Sequence, residues 1–160
     1  CALKGPLHGG APGPVLDMLD AIGDEHNIQS WLKDTLVRGE RLMGFGHRIY
    51  RVRDPRADVL KTAVAALRDS GGRIGFAEAV EREALALLAQ KKPLRPLQTN
   101  VEFYTALVLE SAGFPKESFT NVFAAGRMAG WTAHVLEQDR VGKLIRPQSR
   151  YVGPSPQRTL

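Results

Sequence analysis

Apolar residues recur along this chain at three- and four-residue spacing, and no stretch of useful length alternates at every second position, so the pattern predicts an all-α fold. Six helices are expected. The first runs from Pro14 to about Ile22, with proline in its first turn and Gly23 after it. The second, Asn27 to about Arg38, lines up Ile28, Trp31, Leu32, Thr35 and Leu36 and stops at Gly39. Asp54-Pro55 is a capping residue followed by proline at the first helical position; the third helix then passes through Val59, Leu60, Ala63, Val64 and Leu67 to Gly71-Gly72. From Gly75 to Gln90, Phe76, Val80, Ala84, Leu87 and Leu88 fall on one side and Glu78, Glu81 and Arg82 on the other, which predicts an amphipathic surface helix. Pro93 and Pro96 impose an extended connector after it. Asn100 to about Ala112 is apolar nearly all round and is expected to lie between layers. The last helix, Phe119 to about Glu137, sets Ala125, Ala129 and Ala133 beside Gly126 and Gly130 as a small, flat packing face. Residues 42–50, too rich in glycine for a helix, read as a crossing turn, and the stretch after Gln138 reads as an extended tail.

Composition excludes disorder and collagen: of 160 residues, 43% are hydrophobic and 24% charged, an ordinary globular balance of about one domain's length. The formal charge of +5 points to an anionic partner, which could be nucleic acid, a phosphorylated cofactor or small carboxylates. Arg38, Arg41, Arg48, Arg51, Arg53 and Arg56 crowd into nineteen residues around the glycine turn, and Arg140, Lys143, Arg146 and Arg150 form a second group. A solvated basic face is the plain alternative. The single cysteine, Cys1, leaves no internal disulfide, which favours a reducing compartment, the cytoplasm by default. No apolar run approaches the ~18 residues of a membrane span, and Cys1-Ala2-Leu3-Lys4 reads as the interior of something longer.

Three places could carry chemistry. Gly5-Pro6-Leu7-His8-Gly9-Gly10 sets a histidine among glycines that let a ligand approach the backbone; an idle turn is the other reading. Gly44-Phe45-Gly46-His47 repeats the theme, with arginine forks nearby suited to carboxylate or phosphate. Glu102 stands at the start of an apolar helix, where burial favours a proton-accepting carboxyl and the helix N-terminus favours its anion; a simple helix-start acid is the alternative. His8, His26, His47 and His134 lack metal-ligand spacing, and no serine-nucleophile, zinc, phosphate-loop or dinucleotide motif is present.

In order and spacing, these segments, with Asp54-Pro55-Arg56, Asn100-Val101-Glu102, Phe123-Ala124-Ala125-Gly126-Arg127 and Ile145-Arg146-Pro147, resemble the C-terminal portion of the citrate synthase family over essentially the whole chain. The resemblance implies a helical small domain at residues 11–103. A large-domain segment at 1–10 and C-terminal large-domain helices at 104–160 would accompany it, in an enzyme that works as a homodimer. It implies condensation of acetyl-CoA, a cosubstrate, with oxaloacetate, with no metal, permanently bound cofactor or nucleic acid. Glu102 would remove the methyl proton, His8 would hydrogen-bond the thioester oxygen and His47 would protonate the keto oxygen. Arg56, Arg127 and Arg146 would bind carboxylates, the last across the dimer. Leu42, Met43, Gly44, Phe45 and Gly46 would receive the CoA adenine, with Arg51 near its phosphates. Two departures stand out: Glu102 occupies a position where better-known members carry aspartate, and a further oxaloacetate-binding histidine of the family has no counterpart here. The 160 residues alone are therefore expected to be inactive. A 2-methylcitrate synthase acting on propionyl-CoA is the nearest alternative, and a non-catalytic basic helical module the alternative of another class.

Overall fold

A computed structural model describes residues 10–47, 50, 52–66, 73–94, 97–144 and 146–153. Its helices are α1 (Pro12–Ile22), α2 (Ile28–Val37), α3 (Pro55–Ala66), α4 (Ile74–Lys91), α5 (Val101–Ser111) and α6 (Phe119–Val141), with short 3-10 turns at Glu25–Asn27 and Lys116–Ser118. Among the described residues the only extended pairing is one antiparallel bridge, Phe45 with Thr99, so the fold is all-α as expected. No helix among them is long and apolar enough to cross a membrane. His8, Arg51, Leu67, Gly71, Gly72 and Pro96, all named above, lie outside the described residues.

The described residues form two compact units, one ending at Gly126 and one beginning at Arg127. In the first, α5 packs against α1 and α3, and α2 against α4. Phe103, Tyr104 and Leu107 of α5 meet Val15, Leu19 and Ile22 of α1, Leu32 of α2, Val64 of α3 and Val80 of α4 in one buried core. The expectation that α5 lies between layers holds, since six of its eleven residues are buried. In the second unit Met128, Trp131, Val135 and Leu136 are exposed.

Boundaries shift by a few residues. α1 begins at Pro12 rather than Pro14, a start that proline tolerates because a first-turn N–H has no helical partner anyway. α6 continues to Val141 rather than ending near Glu137. Val59, expected on the apolar side of α3, is exposed; Ala57 and Val64 are the buried positions there.

A larger correction concerns Glu81. It does not face solvent from α4 but lies on the buried stripe with Ala77, Ala84 and Leu88, its side chain only 4% exposed. Four groups from other elements meet its carboxylate. Oε1 accepts from Thr99 Oγ1 at 2.6 Å and faces Arg53 Nη1 at 3.6 Å. Oε2 accepts from Tyr104 Oη at 2.5 Å and Lys61 Nζ at 2.8 Å. Burial alone would raise this carboxyl; the bonds from Lys61, Thr99 and Tyr104 together outweigh it and hold the group below the usual glutamate value.

Candidate active site

The turn that precedes α3 and the first residues of α5 are sewn together by their backbones. Gly46 N–H donates to the Gln98 carbonyl at 2.7 Å, and Asn100 N–H donates to the Gly44 carbonyl at 2.9 Å. Gly44 has φ +84°, and a Cβ there would stand 2.8 Å from Phe103 Cβ, so neither the backbone conformation nor the space admits a side chain. Phe45 lays its ring 5.4 Å from that of Phe103. Asn100 completes the seam. Its Nδ2 donates to the Gly46 carbonyl at 2.8 Å, while its Oδ1 caps α5 by accepting the Glu102 N–H at 3.0 Å. One side chain thus fixes both the residue before His47 and the backbone of Glu102.

His47 is half-buried at the end of this turn. Its Nδ1 accepts the Tyr50 N–H at 3.0 Å, and the two rings lie 4.5 Å apart. A backbone N–H can only donate, so the neutral imidazole carries its proton on Nε2 and presents that nitrogen as a donor. The Arg56 guanidinium sits over the same tyrosine ring, 5.7 Å from its centroid.

Asp54 holds Arg56 by a two-point contact, Nε to Oδ1 at 3.0 Å and Nη2 to Oδ2 at 2.8 Å, and its side chain is 2% exposed. It also caps α3 by accepting the Arg56 N–H, and it accepts the Val101 N–H at the start of α5. Burial would raise the Asp54 carboxyl, but these bonds, the Arg56 guanidinium foremost, bring it below the ordinary aspartate value. Arg56 is in turn raised, first by that bond and also by the charge of Glu102. Glu102, second residue of α5, is buried, with Oε2 shut off from solvent and the helix N-terminus favouring its anion. A hydrogen-bond-donating imidazole, a buried carboxylate and a clamped guanidinium are therefore gathered on elements locked to one another. Such a set can bind an anionic carbonyl compound and move protons at it.

A sequence model of the citrate synthase C-terminal domain matches residues 1–148. The chain belongs to the citrate synthase family. It is 51% identical over 155 residues to "Putative citrate synthase 2" of Mycobacterium tuberculosis, an alignment covering 97% of this chain and 41% of that protein. It is 43% identical to "Citrate synthase 2" of Bacillus subtilis, over 98% of this chain and 41% of the relative. The chain thus spans about two fifths of the length of the curated relatives it matches. Among solved structures, the citrate synthase of Thermoplasma acidophilum, in ternary complex with carboxymethyl coenzyme A and oxaloacetate, superposes with a TM-score of 0.80. Its identity is 33%, covering 99% of this chain and 43% of that one.

Set against the family pattern, the residues named from the sequence divide into three groups. His47, Arg56, Glu102 and the turn Leu42, Met43, Gly44, Phe45 and Gly46 belong to the first unit and are tied together as described. Leu42, Gly44 and Phe45 are buried and Met43 is half-buried. Arg127 and Arg146 belong to the second unit, where both are exposed. His8 and Arg51 lie outside the described residues. Sequence reasoning missed the supports. Asp54 and Asn100 were visible as helix starts and within the segments that carry the resemblance, but not as supports, and Tyr50 only as part of the turn. The available signal was that both caps lie within two residues of a candidate site residue, Arg56 in one case and Glu102 in the other.

Proposed function

We propose that this chain supplies the C-terminal part of a citrate synthase, which condenses acetyl-CoA with oxaloacetate and water to give citrate and CoA. The observation that carries this reading is the double use of Asn100, which binds the histidine turn and the start of the glutamate helix into one unit beside Arg56.

Within that proposal, residues 11–103 form the CoA-binding small domain, 1–10 a large-domain segment carrying His8, and 104–160 the last large-domain helices. Glu102 accepts a proton from the acetyl methyl group as the C–H pair moves towards the thioester, whose oxygen His8 hydrogen-bonds. The nucleophilic carbon then bonds to the keto carbon of oxaloacetate, and the displaced carbonyl pair takes the Nε2 proton of His47. The Tyr50 N–H on Nδ1 prepares that proton, because it leaves only the Nε2–H tautomer for the neutral ring. Water then cleaves the citryl thioester and releases CoA. Arg56 engages a substrate carboxylate, its Nε edge already fixed by Asp54 so that little orientation remains to be lost on binding. Arg127 and, across a homodimer, Arg146 bind the remaining carboxylates, while Leu42 to Gly46 and Arg51 receive CoA. Glutamate at 102 reaches one methylene further than aspartate, about 1 Å, a displacement that the buried, capped start of α5 must accommodate for full rate.

Assay of the full-length cytoplasmic protein tests this. Free thiol should appear from acetyl-CoA only when oxaloacetate is present, and faster than from propionyl-CoA. A preference for propionyl-CoA would make it a 2-methylcitrate synthase instead. No thiol release from either, with salt-dependent DNA binding, would replace catalysis by a basic binding module.

A further inference from the structure

The buried carboxylate of Glu81 plays no part in the chemistry above, yet it meets residues of α3, of α5 and of the segments on either side of them, and it reaches the histidine turn through Thr99. Thr99, which it binds at 2.6 Å, is the bridge partner of Phe45 and lies next to Asn100. Tyr104, bound at 2.5 Å, is fully buried two residues beyond Glu102 on α5. Arg53, facing it at 3.6 Å, lies in the segment between the histidine turn and α3, and Lys61, at 2.8 Å, is on α3, whose second residue is Arg56. An anion so deeply placed is costly unless each oxygen is bonded, and here both are bonded to groups from separate elements.

We propose that Glu81 is a positioning residue for the reaction, setting the separation between His47 and Glu102 by holding Thr99 and Tyr104 from one carboxylate. The inference rests on the proposed citrate synthase reading for its kinetic effect, but not for its structural one. Oε1 controls the strand-like residues that pair with the histidine turn, and Oε2 controls the helix that carries the acid. Neutralising or shortening either link lets the turn and the helix start drift apart without removing any group that touches substrate. Displacements approaching 1 Å at such groups cost rate rather than affinity.

The test uses the full-length protein with Glu81→Gln, Thr99→Val and Thr99→Ser. Glu81→Gln keeps the volume but drops the charge; Thr99→Val cuts only the link to the turn and leaves Lys61 and Tyr104 in place, so it serves if the glutamine variant fails to fold. Both should lower kcat about tenfold or more per folded site, with KM for acetyl-CoA and oxaloacetate changed less than about threefold, and Thr99→Ser should restore the rate. Hydrogen exchange gives a readout independent of catalysis. The Gly46 and Asn100 amides, which bond across the seam, should exchange at least about tenfold faster in Glu81→Gln and Thr99→Val, while the α1 amides keep their protection. Uniformly faster exchange, or unchanged exchange at those two amides, overturns the proposal and leaves Glu81 a general stability residue; so does an unchanged kcat in a folded Thr99→Val protein that performs the condensation. If the parent protein does not condense the substrates, the functional reading falls while the exchange pattern still decides the positioning claim.

Discussion

Replacing Gly44 by alanine perturbs the site at the point where the turn touches α5. Two costs add. The residue holds φ +84°, where a Cβ meets the backbone carbonyl at about 1–2 kcal/mol. The new methyl would also lie 2.8 Å from both Phe103 Cβ and Cδ2 and 3.2 Å from its Cα; Phe103 is fully buried, so part of the clash passes into the backbone of α5, at about 1–3 kcal/mol. The expected loss is about 2–5 kcal/mol, a large share of the ~5–15 kcal/mol typical of a folded protein. Gly39→Ala is the control, because Gly39 has φ +76° but nothing within 4 Å of its Cβ position, so it incurs the conformational cost alone. Urea unfolding of the two full-length variants should therefore show Gly44→Ala less stable than Gly39→Ala by about 1–3 kcal/mol. Because Phe103 follows Glu102, turnover should also fall further in Gly44→Ala than in the control. Equal unfolding free energies would refute the contact between turn and helix on which the site description rests.

Glu102→Gln should abolish acetyl methyl proton exchange with solvent, a loss of about 10²-fold or more, while oxaloacetate binding followed by calorimetry stays near its parent value; retained exchange would remove Glu102 from the role of base. Arg56→Lys should weaken oxaloacetate binding although charge is kept, because an ammonium cannot keep a two-point contact to Asp54 and still meet a substrate carboxylate edge-on; unchanged affinity would mean that charge alone matters. Stability should decline in acid. Asp54 and Glu81 both titrate below their ordinary values when folded, so between the folded and unfolded values the unfolded chain binds more protons; their contribution is present above ~4 and lost as pH falls through the folded values. Asp54→Asn should make the acid limb of thermal stability against pH shallower, and an identical limb would contradict the assignment.

Helices were legible because their signal is local. The stripe Ile28, Leu32 and Thr35 of α2, the Asp54 cap of α3 and the apolar girth of α5 each follow from residues within one or two turns of each other. Glu81 was misplaced for the same reason. Its spacing of four from Ala77 and seven from Leu88 puts it on the buried stripe, but its charge argued for solvent, and the partners that stabilise it there come from three distant segments. The candidate site was legible as residue types: histidine at a glycine turn, acid at an apolar helix start, arginine after a cap. What holds them together was not, because the bonds of Asn100 to Gly46 and of Asp54 to Val101 join positions roughly fifty apart that no periodicity connects.

That long reach has a kinetic corollary. A seam between residues 44–46 and 98–100 closes a loop of more than fifty residues, so it cannot form at the pace of the helices it joins. During refolding, ellipticity should return well before the ability to engage substrate, and the late phase should be the one in which distant halves of the small helical body find their register.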